Sequence, residues 1–243
     1  DRVIIQSVRG VFSKNSKLPY DFSSLDKNLP NEWSYELGFV LGYLIGNGSL
    51  RNEDKNPRVR FIFKKNDYSI LEYIKSILDR WNGRPVKPIK RRGNLYELSY
   101  RRKSIVKFFS VLGVKTVKAE EREIPSSIFT STEEAVLGFL RGLFSSSGYI
   151  ESGKGRGSSI RFLSRSKRLL KQAQLLLLQF GIFSRILPAK RASRKARELY
   201  ELTITGEDLP LFLDRIGFSD GYAEIDVLKG DTYLSRNLMD KVV

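Results

Sequence analysis

The sequence predicts an α+β fold made of two copies of one αββαββα unit, related by a pseudo-two-fold axis. The first observation is a repeat, since residues 37–50 read LGFVLGYLIGNGSL and residues 137–150 read LGFLRGLFSSSGYI, an offset of 100 residues. The second is the hydrophobic periodicity, which changes from helix-like to strand-like at equivalent places in both copies. The third is a row of small residues four apart in the first helix of each copy. Together these observations predict a duplicated fold with two antiparallel β-sheets.

Shorter matches follow the first one in the same order along the chain. VRF at 59–61 returns as IRF at 160–162, YEL at 96–98 returns at 200–202, and Gly113 returns as Gly217. The offset grows to 101 and then to 104 residues, as changes in loop length would cause. Four matches in order over most of the chain indicate a duplication. The predicted divisions are an N-terminal extension (1–33), a first repeat (34–113), a linker (114–130), a second repeat (131–217) and a C-terminal extension (218–243).

Each repeat is predicted to begin with a helix, over 34–46 in the first copy and 132–146 in the second. Short polar side chains near both starts can accept hydrogen bonds from the first free backbone amides. The candidate capping residues are Asn31 or Ser34 in the first copy and Thr130 or Ser131 in the second. Gly48 and Gly148 follow the two helices, at the position where glycine commonly ends a helix.

A hairpin follows each helix, with strands near 48–52 and 58–65, and near 148–153 and 158–165. The second strand of each hairpin alternates apolar and polar residues, which is typical of a strand with one buried face. The residues expected to face the core are Val59, Phe61, Phe63, Ile160 and Phe162. Those expected to face outward are Arg58, Arg60, Lys64, Arg161 and Arg165.

Three further elements complete each repeat. They are a second helix (67–81 or 166–180), a second hairpin (84–101 or 183–205) and a third helix (103–112 or 207–216). Aromatic residues in the strands alternate with the polar ones, so they are expected to be core residues rather than platforms for nucleotide bases. This expectation covers Phe61, Phe63, Tyr96, Tyr100 and Phe162.

The first helix of each repeat carries small residues on one stripe. They are Gly38, Gly42 and Gly46 in the first copy and Gly138, Gly142 and Ser146 in the second. Glycine inside a helix costs about 1 kcal/mol relative to alanine, so three of them must be offset by another gain. Small residues at this spacing let two helix backbones approach closely. We therefore expect the two helices to pack on each other, which would bring Asn47 and Ser147 together at their C-terminal ends.

Composition and charge limit the classes of function. The 243 residues contain 43 Lys and Arg against 27 Asp and Glu, a net charge of +16, which favours a polyanionic partner over a merely basic surface. The absence of Cys and His excludes disulfides, Cys/His zinc sites and catalysis by a histidine base or a cysteine nucleophile. No segment reaches the roughly 18 apolar residues of a membrane span, and the first residues lack a signal-peptide pattern. An intracellular protein is expected, with the compartment left open; the missing initial Met predicts a fragment or a processed product.

Two segments resemble the paired motifs of the LAGLIDADG homing endonuclease family. They are LGYLIGNG at 41–48 and LRGLFSSSG at 140–148, and the resemblance extends over roughly residues 34–216. REIP at 122–125, followed by FLRGLF at 139–144, is similar to endonucleases carried inside inteins, which usually have Lys-x-Ile-Pro before the second motif. Protein-splicing motifs are not found in the sequence, so an intein relationship would leave only the endonuclease part here.

The resemblance implies a two-lobed, single-chain protein whose two β-sheets form a saddle on double-stranded DNA. In the family, each motif helix ends in an acidic residue that holds Mg²⁺ for phosphodiester hydrolysis. The family's acidic positions are Asn47 and Ser147 here, and its lysine position is Arg122. An amide, a neutral hydroxyl and a guanidinium predict poor Mg²⁺ binding, so no cofactor is expected. Glu151, three residues past Gly148, and Asp54 in the first hairpin are acids that could stand in, but they are expected to be ordinary exposed hairpin carboxylates.

Basic residues occur at equivalent hairpins of the two copies, which favours a surface that follows a duplex over two solvated loops. They are Arg84, Lys87, Lys90, Arg91 and Arg92 in the first copy and Arg185, Lys190, Arg191, Arg194, Lys195 and Arg197 in the second. Cations at loop tips are expected to contact phosphates. The outward strand residues, with Glu97, Ser99, Thr203 and Thr205, are expected to read base edges in the major groove.

The function predicted from these features is sequence-specific binding of double-stranded DNA by a homing-endonuclease-type protein with lost or weak cleavage. A monomer on a long, asymmetric site is expected, because two unlike copies share one chain. Two alternatives stay open: an active homing endonuclease with non-standard ligands, and an RNA-splicing maturase that binds intron RNA.

Overall fold

The structure, a computed structural model, describes residues 10–53, 55–153, 157–189 and 198–219. It is an α+β fold with two four-stranded antiparallel sheets, as the sequence predicts. The first repeat contains α1 (Tyr35–Asn47), β1 (Gly48–Arg51), β2 (Arg58–Lys64), α2 (Tyr68–Asn82), β3 (Ile89–Arg91), β4 (Leu95–Tyr100) and α3 (Lys103–Val111). A short helix, α4 (Ser126–Phe129), lies between the repeats.

The second repeat has the same element order. It contains α5 (Glu133–Ser147), β5 (Gly148–Gly153), β6 (Gly157–Ser164), α6 (Lys167–Gln179), β7 (Arg185–Pro188), β8 (Tyr200–Thr205) and α7 (Asp208–Arg215). The strand order is β1-β2-β4-β3 in one sheet and β5-β6-β8-β7 in the other. The two repeats therefore share their topology as well as their sequence pattern.

Register determines which residues share a face of each sheet. Phe61 pairs with Leu98 in the first sheet and Phe162 pairs with Leu202 in the second, and all four side chains are buried. The intervening residues, such as Arg60 opposite Ser99, lie on the other face. Because successive side chains in a strand point to opposite faces, each sheet has one apolar face on the core and one polar face. We call the polar face the outer face.

The motif helices α1 and α5 pack directly on each other at the centre of the molecule. A methyl group added at Gly42 would overlap the backbone oxygen of Phe139, and one at Gly142 would overlap that of Phe39. One at Gly46 would overlap the hydroxyl of Ser146. The small-residue stripes thus allow backbone-to-backbone contact between the two helices, which offsets the helix-propensity cost of the glycines.

The helix caps differ in part from the prediction. Ser34 accepts a hydrogen bond from the backbone nitrogen of Leu37 at 3.2 Å and caps α1. The cap of α5 is Thr132, which accepts from Ala135, and neither Thr130 nor Ser131 fills this position. Ser131 instead donates to the backbone oxygen of Ile128, because α4 ends directly before it. The prediction was wrong here since α4, a single turn, has no clear signature in the sequence.

The predicted core aromatics are buried with one exception. Phe61, Phe63, Tyr100 and Phe162 are at most 1% exposed. Tyr96 is only half-buried, and its ring lies edge-on to the exposed Tyr68 at 5.7 Å. It lies at the margin of the first sheet, where α2 begins, so the core expectation was too strong for this residue.

The segment before the first repeat packs against both copies. Leu18, Phe22, Leu29 and Trp33 are buried in the same core as α1. Further upstream, the backbone nitrogen of Gly10 donates to Gln179 in α6, and the ring of Phe12 lies 5.3 Å from Phe180. The division of the chain into repeats, linker and extensions stays a prediction. Among the described residues, no helix is long and apolar enough to cross a membrane.

Candidate nucleic-acid interface and motif-helix ends

The C-terminal ends of α1 and α5 lie side by side at the helix pair. Asn47 is the last residue of α1 and Ser147 is the last residue of α5, and both are half-buried. Each is one residue beyond the Gly46–Ser146 contact, so the close helix approach brings them to the same place in the molecule. The side chain of Asn47 donates to the backbone oxygen of Ile62 in β2 at 2.9 Å. Its amide is therefore tied to the first sheet.

Hydroxyl groups at the end of α5 are directed to the backbone. Ser146 donates to the backbone oxygen of Leu143 at 2.6 Å, and Ser145 accepts from the backbone nitrogen of Ser219 at 2.9 Å. Both side chains are buried. The first of these hydrogen bonds lies within α5, and the second holds the segment after α7 against this helix.

Arg122 lies at the end of α1. Its guanidinium donates to the backbone oxygens of Ile45 at 3.1 Å, Gly46 at 2.6 Å and Gly48 at 2.8 Å. The last carbonyls of a helix have no partner within the helix and form the negative end of its dipole. Arg122 satisfies them with a cation. Burial lowers the pKa of its guanidinium, but the ordinary value is so high that the group stays charged.

The segment that carries Arg122 is anchored to the second repeat. Ser166 donates to the backbone oxygen of Arg122 at 2.6 Å, and Gln172 accepts from the backbone nitrogen of Ile124 at 2.8 Å. Between them, Glu123 forms ion pairs with Lys115 and with Arg168, the latter at 2.7 Å. The guanidinium is thus held between the end of α1 and the start of α6.

This set of groups does not fit Mg²⁺. That ion requires oxygen ligands, usually including carboxylates, in a nearly octahedral arrangement. Asn47 offers at most a neutral amide oxygen, Ser147 offers a neutral hydroxyl, and the carbonyl oxygens at the end of α1 already bind a cationic side chain. No cluster of three or more Asp or Glu residues with metal-binding geometry occurs in the described part of the chain.

Replacing Arg122 is expected to destabilise the protein. Arg122→Met leaves three partly buried carbonyl oxygens without a donor, and we expect a loss of about 2–3 kcal/mol in the free energy of unfolding. Arg122→Lys should lose less, since it keeps the charge and one donor group. Urea unfolding measures both, with Arg92→Met in an exposed turn as the control. An Arg122→Met variant as stable as the control would contradict this role.

The outer face of the first sheet carries the predicted arginines in register. Arg58 and Arg60 are half-buried and Lys64 is exposed. Arg60 donates to the hydroxyl of Ser49 at 3.2 Å, which directs its side chain toward the neighbouring strand β1. Glu97, predicted to read a base edge, pairs with Arg91 at 2.9 Å and is 6% exposed.

The outer face of the second sheet carries an ion network instead. Arg161 pairs with Glu151 on one side and with Glu201 at 3.0 Å on the other. Thr203 also donates to Glu201, at 3.2 Å. Glu151 is exposed, as expected, but it has a specific partner. The charge of Arg161 is therefore largely balanced within the protein, in contrast to Arg165, which is exposed beyond the end of β6.

The described lysines and arginines of the second hairpins are exposed to solvent. Arg84, Lys87, Lys90, Arg91, Arg92 and Arg185 are all exposed. Of the polar residues predicted to read bases, Ser99 and Thr203 are half-buried on the outer faces and Thr205 is exposed. Lys190, Arg191, Arg194, Lys195, Arg197 and Asp54 lie outside the described residues.

Sequence reasoning missed the pairing of outer-face acids with arginines. The signal was present, since YEL at 96–98 returns unchanged at 200–202 and places one glutamate on each outer face. The partners could not be read in the same way. Arg91 is on β3 and Arg161 is on β6, so the equivalent glutamates of the two copies pair with arginines on different strands.

Both halves of the chain match models of LAGLIDADG-like domains. Residues 134–217 match a model described as a LAGLIDADG-like domain, and residues 37–125 match one described as the WhiA LAGLIDADG-like domain. The two matches cover both motif helices and both sheets.

Similar segments occur in curated proteins whose names describe different activities. One is a replicative DNA helicase of Synechocystis sp., 28% identical over 215 residues, covering 83% of this chain and 24% of that protein. Another is a probable translation initiation factor of Methanocaldococcus jannaschii, 26% identical over 216 residues, covering 87% and 17%. A third is the replication factor C small subunit of the same organism, 27% identical over 191 residues, covering 78% and 10%. The chain thus spans about a quarter or less of these relatives.

Solved structures of similar fold include homing endonucleases. The structure of mesophilic variants of I-DmoI has a TM-score of 0.57 at 17% identity, covering 75% of this chain and 95% of that one. I-WcaI bound to its DNA recognition sequence has a TM-score of 0.57 at 13% identity, covering 83% and 91%. At these identities the likeness establishes the fold of the present chain.

Proposed function

Because this chain belongs to the LAGLIDADG family, with one family domain in each half, we propose that it binds a specific double-stranded DNA site and cleaves it weakly or not at all. The observation that carries the proposal is the contrast between its two functional regions. The outer face of the first sheet and the described hairpin residues carry arginines and lysines, while the motif-helix ends hold Asn47, Ser147 and the Arg122 guanidinium.

Charge and placement support DNA as the partner. The net charge is +16, and exposed cations lie on the second hairpin of the first repeat, with the exposed Arg185 at the equivalent hairpin of the second. Such cations neutralise phosphates and release counterions, which supplies affinity that depends strongly on salt. The homing endonuclease I-DmoI, which shares the fold, is known in complex with DNA and Mn. Because two unlike copies share one chain, we expect a monomer. Because the two outer faces differ in their ion pairs, we expect this monomer to bind a long site that is not a palindrome.

The helix ends support weak or absent cleavage. Metal-assisted hydrolysis needs anionic oxygen ligands, and neither motif helix ends in a carboxylate. Arg122 adds a positive charge at the same place, so a divalent ion would meet repulsion as well as poor ligands. Family membership does not by itself assign cleavage, because the two halves match different models within the family.

An intein origin is a second element of the proposal. The matched segments make up 10% to 24% of a helicase, an initiation factor and a replication factor, whose names imply no shared activity. A segment common to such different proteins is expected to be an inserted module. Together with REIP at 122–125, this favours the endonuclease-type part of an intein over an intron-encoded maturase.

Selection from randomised duplex DNA tests the proposal, carried out once with Mg²⁺ and once with EDTA. We expect the same enriched site in both conditions, affinity that falls steeply with salt, and intact DNA after incubation with Mg²⁺. Arg84→Gln should reduce the salt slope by about one unit. Lys171→Gln, which removes a charge from the exposed side of α6, should leave it unchanged.

Three results would overturn parts of the proposal. Efficient Mg²⁺-dependent cleavage of the enriched site would make the chain an active endonuclease with non-standard ligands. Tighter and more salt-resistant binding to structured intron RNA would make it a maturase. Absence of any enriched duplex site would reject specific DNA binding.

A further inference from the structure

Each outer face carries one row of three residues across neighbouring strands. In the first sheet, Glu97 pairs with Ile62 on β2 and with Ile89 on β3. In the second sheet, Glu201 pairs with Leu163 on β6 and with Leu187 on β7. Residues paired in an antiparallel sheet lie side by side on the same face. Both rows therefore have a carboxylate flanked by two aliphatic side chains, at equivalent positions of the two repeats.

The outermost aliphatic of each row is exposed. Ile89 is 47% exposed and Leu187 is 54% exposed, on the edge strands β3 and β7. Neither belongs to the core, and each lies on an edge strand of an outer face that also carries charged and polar residues. A single exposed aliphatic needs no explanation. The same feature at matched positions, next to the same acid, indicates a shared task.

The neighbouring charges are balanced within the protein. Arg91 neutralises Glu97, and Arg161 neutralises Glu201. A phosphate would gain little from Arg91 or Arg161, since both already have carboxylate partners. The rows are therefore patches of low net charge within a basic surface, suited to a partner group that is apolar and lies inside a groove.

We propose that Ile89 and Leu187 are specificity-determining residues that contact the C5-methyl groups of thymines, one in each half of the DNA site. This inference rests on the proposed function. The thymine methyl is the apolar group that the major groove presents among its hydrogen-bonding atoms. An exposed aliphatic on a strand that lies in this groove gains free energy by burying it, whereas cytosine offers no such group at the same place.

Replacing thymine by uracil removes the methyl group and leaves base pairing unchanged, so it tests the inference directly. Starting from the enriched site, each thymine is replaced in turn and the dissociation constant is measured. We expect about a fourfold loss of affinity at one thymine in each half-site, as for the burial of one methyl group. Other thymines should show smaller effects.

Variants assign each methyl to a residue. Leu187→Ala should abolish the uracil effect in one half-site and keep it in the other, and Ile89→Ala should do the reverse. Leu175→Ala is the matched control, because Leu175 is 57% exposed but lies on α6. Thermal unfolding should be nearly unchanged in all three variants, since each side chain is exposed.

Several results would overturn the inference. Uracil effects that persist in both variants would show that other residues contact the methyls. An enriched site without any uracil-sensitive thymine would reject methyl recognition while leaving DNA binding intact. Loss of all DNA binding in Leu187→Ala would show that Leu187 does more than contact one methyl group, and so would reject its role as a specificity-determining residue for one thymine. Failure to enrich any duplex site would reject both this inference and the proposed function.

Discussion

Gly42→Ala is expected to lower the free energy of unfolding by about 2–3 kcal/mol, although alanine is the better helix former. A methyl group at this position would overlap the backbone oxygen of Phe139 and lie 2.8 Å from the backbone nitrogen of Leu143. Both atoms belong to the facing helix and cannot rotate away. The helices α1 and α5 must therefore separate, which disturbs the centre of the core. Urea and thermal unfolding measure the loss, and a decrease of roughly 5–10 °C in Tm is expected.

Gly46 provides a matched comparison on the same stripe. A methyl group there would meet the hydroxyl of Ser146, which is a side chain, rather than a backbone atom. Gly46→Ala should therefore cost less than Gly42→Ala, and Ser146→Gly should rescue Gly46→Ala but not Gly42→Ala. A Gly42→Ala variant as stable as the natural chain, or more so, would show that the helices do not need this close approach.

Restoring the two carboxylates is expected to create or greatly increase cleavage. In the Asn47→Asp/Ser147→Asp variant, two anionic oxygen ligands would stand at the adjacent ends of α1 and α5, where the unmodified chain has an amide and a hydroxyl. We expect Mg²⁺-dependent cutting of the enriched DNA site to rise by about 10²–10³-fold, the scale of one well-placed electrostatic interaction. Cleavage of labelled duplex, followed over time with Mg²⁺ and with EDTA, measures it.

The Arg122 side chain is expected to limit this increase in cleavage. Its guanidinium would pair with the new carboxylates and compete with the metal, so adding Arg122→Lys should raise cleavage further. The control is Asn66→Asp/Ser76→Asp, which changes the net charge equally at exposed positions on and next to α2. If the unmodified chain already cuts as fast as the double variant, the assignment of Asn47 and Ser147 as lost metal ligands is wrong.

Much of the fold could be predicted because its signals are local. The alternation of Val59, Arg60 and Phe61 follows the period of a strand, and burial of every second residue in β2 agrees with it. Element boundaries agree with the structure to within a few residues, including the helices α1 and α5 that follow the repeat. The predictions were wrong where an adjoining element determines the surroundings of a residue. The cap of α5 is Thr132 because α4 precedes it, and Tyr96 is half-buried because it lies beside the start of α2.

In the candidate site, residue types could be predicted from the sequence, but their partners could not. The sequence showed which residue types occupy positions 47, 147 and 122, and it predicted that Glu97 reads a base edge. The structure shows Glu97 with an arginine, and it shows the Arg122 guanidinium on carbonyl oxygens more than 70 residues earlier in the chain. Such partners depend on how distant elements pack, and residue type does not encode them.

The sequence by itself determined the duplication, the basic charge, the small-residue stripes and the absence of carboxylates at both motif positions. Each of these is a property of residue identity, period or spacing, so it can be read without coordinates. Only the tertiary structure decided that Arg122 satisfies the end of α1, that Arg161 is balanced by two glutamates, and that Ile89 and Leu187 remain exposed beside paired acids. These features arise from contacts between strands and helices far apart in sequence, where the geometry of packing chooses among many partners of the same chemical type.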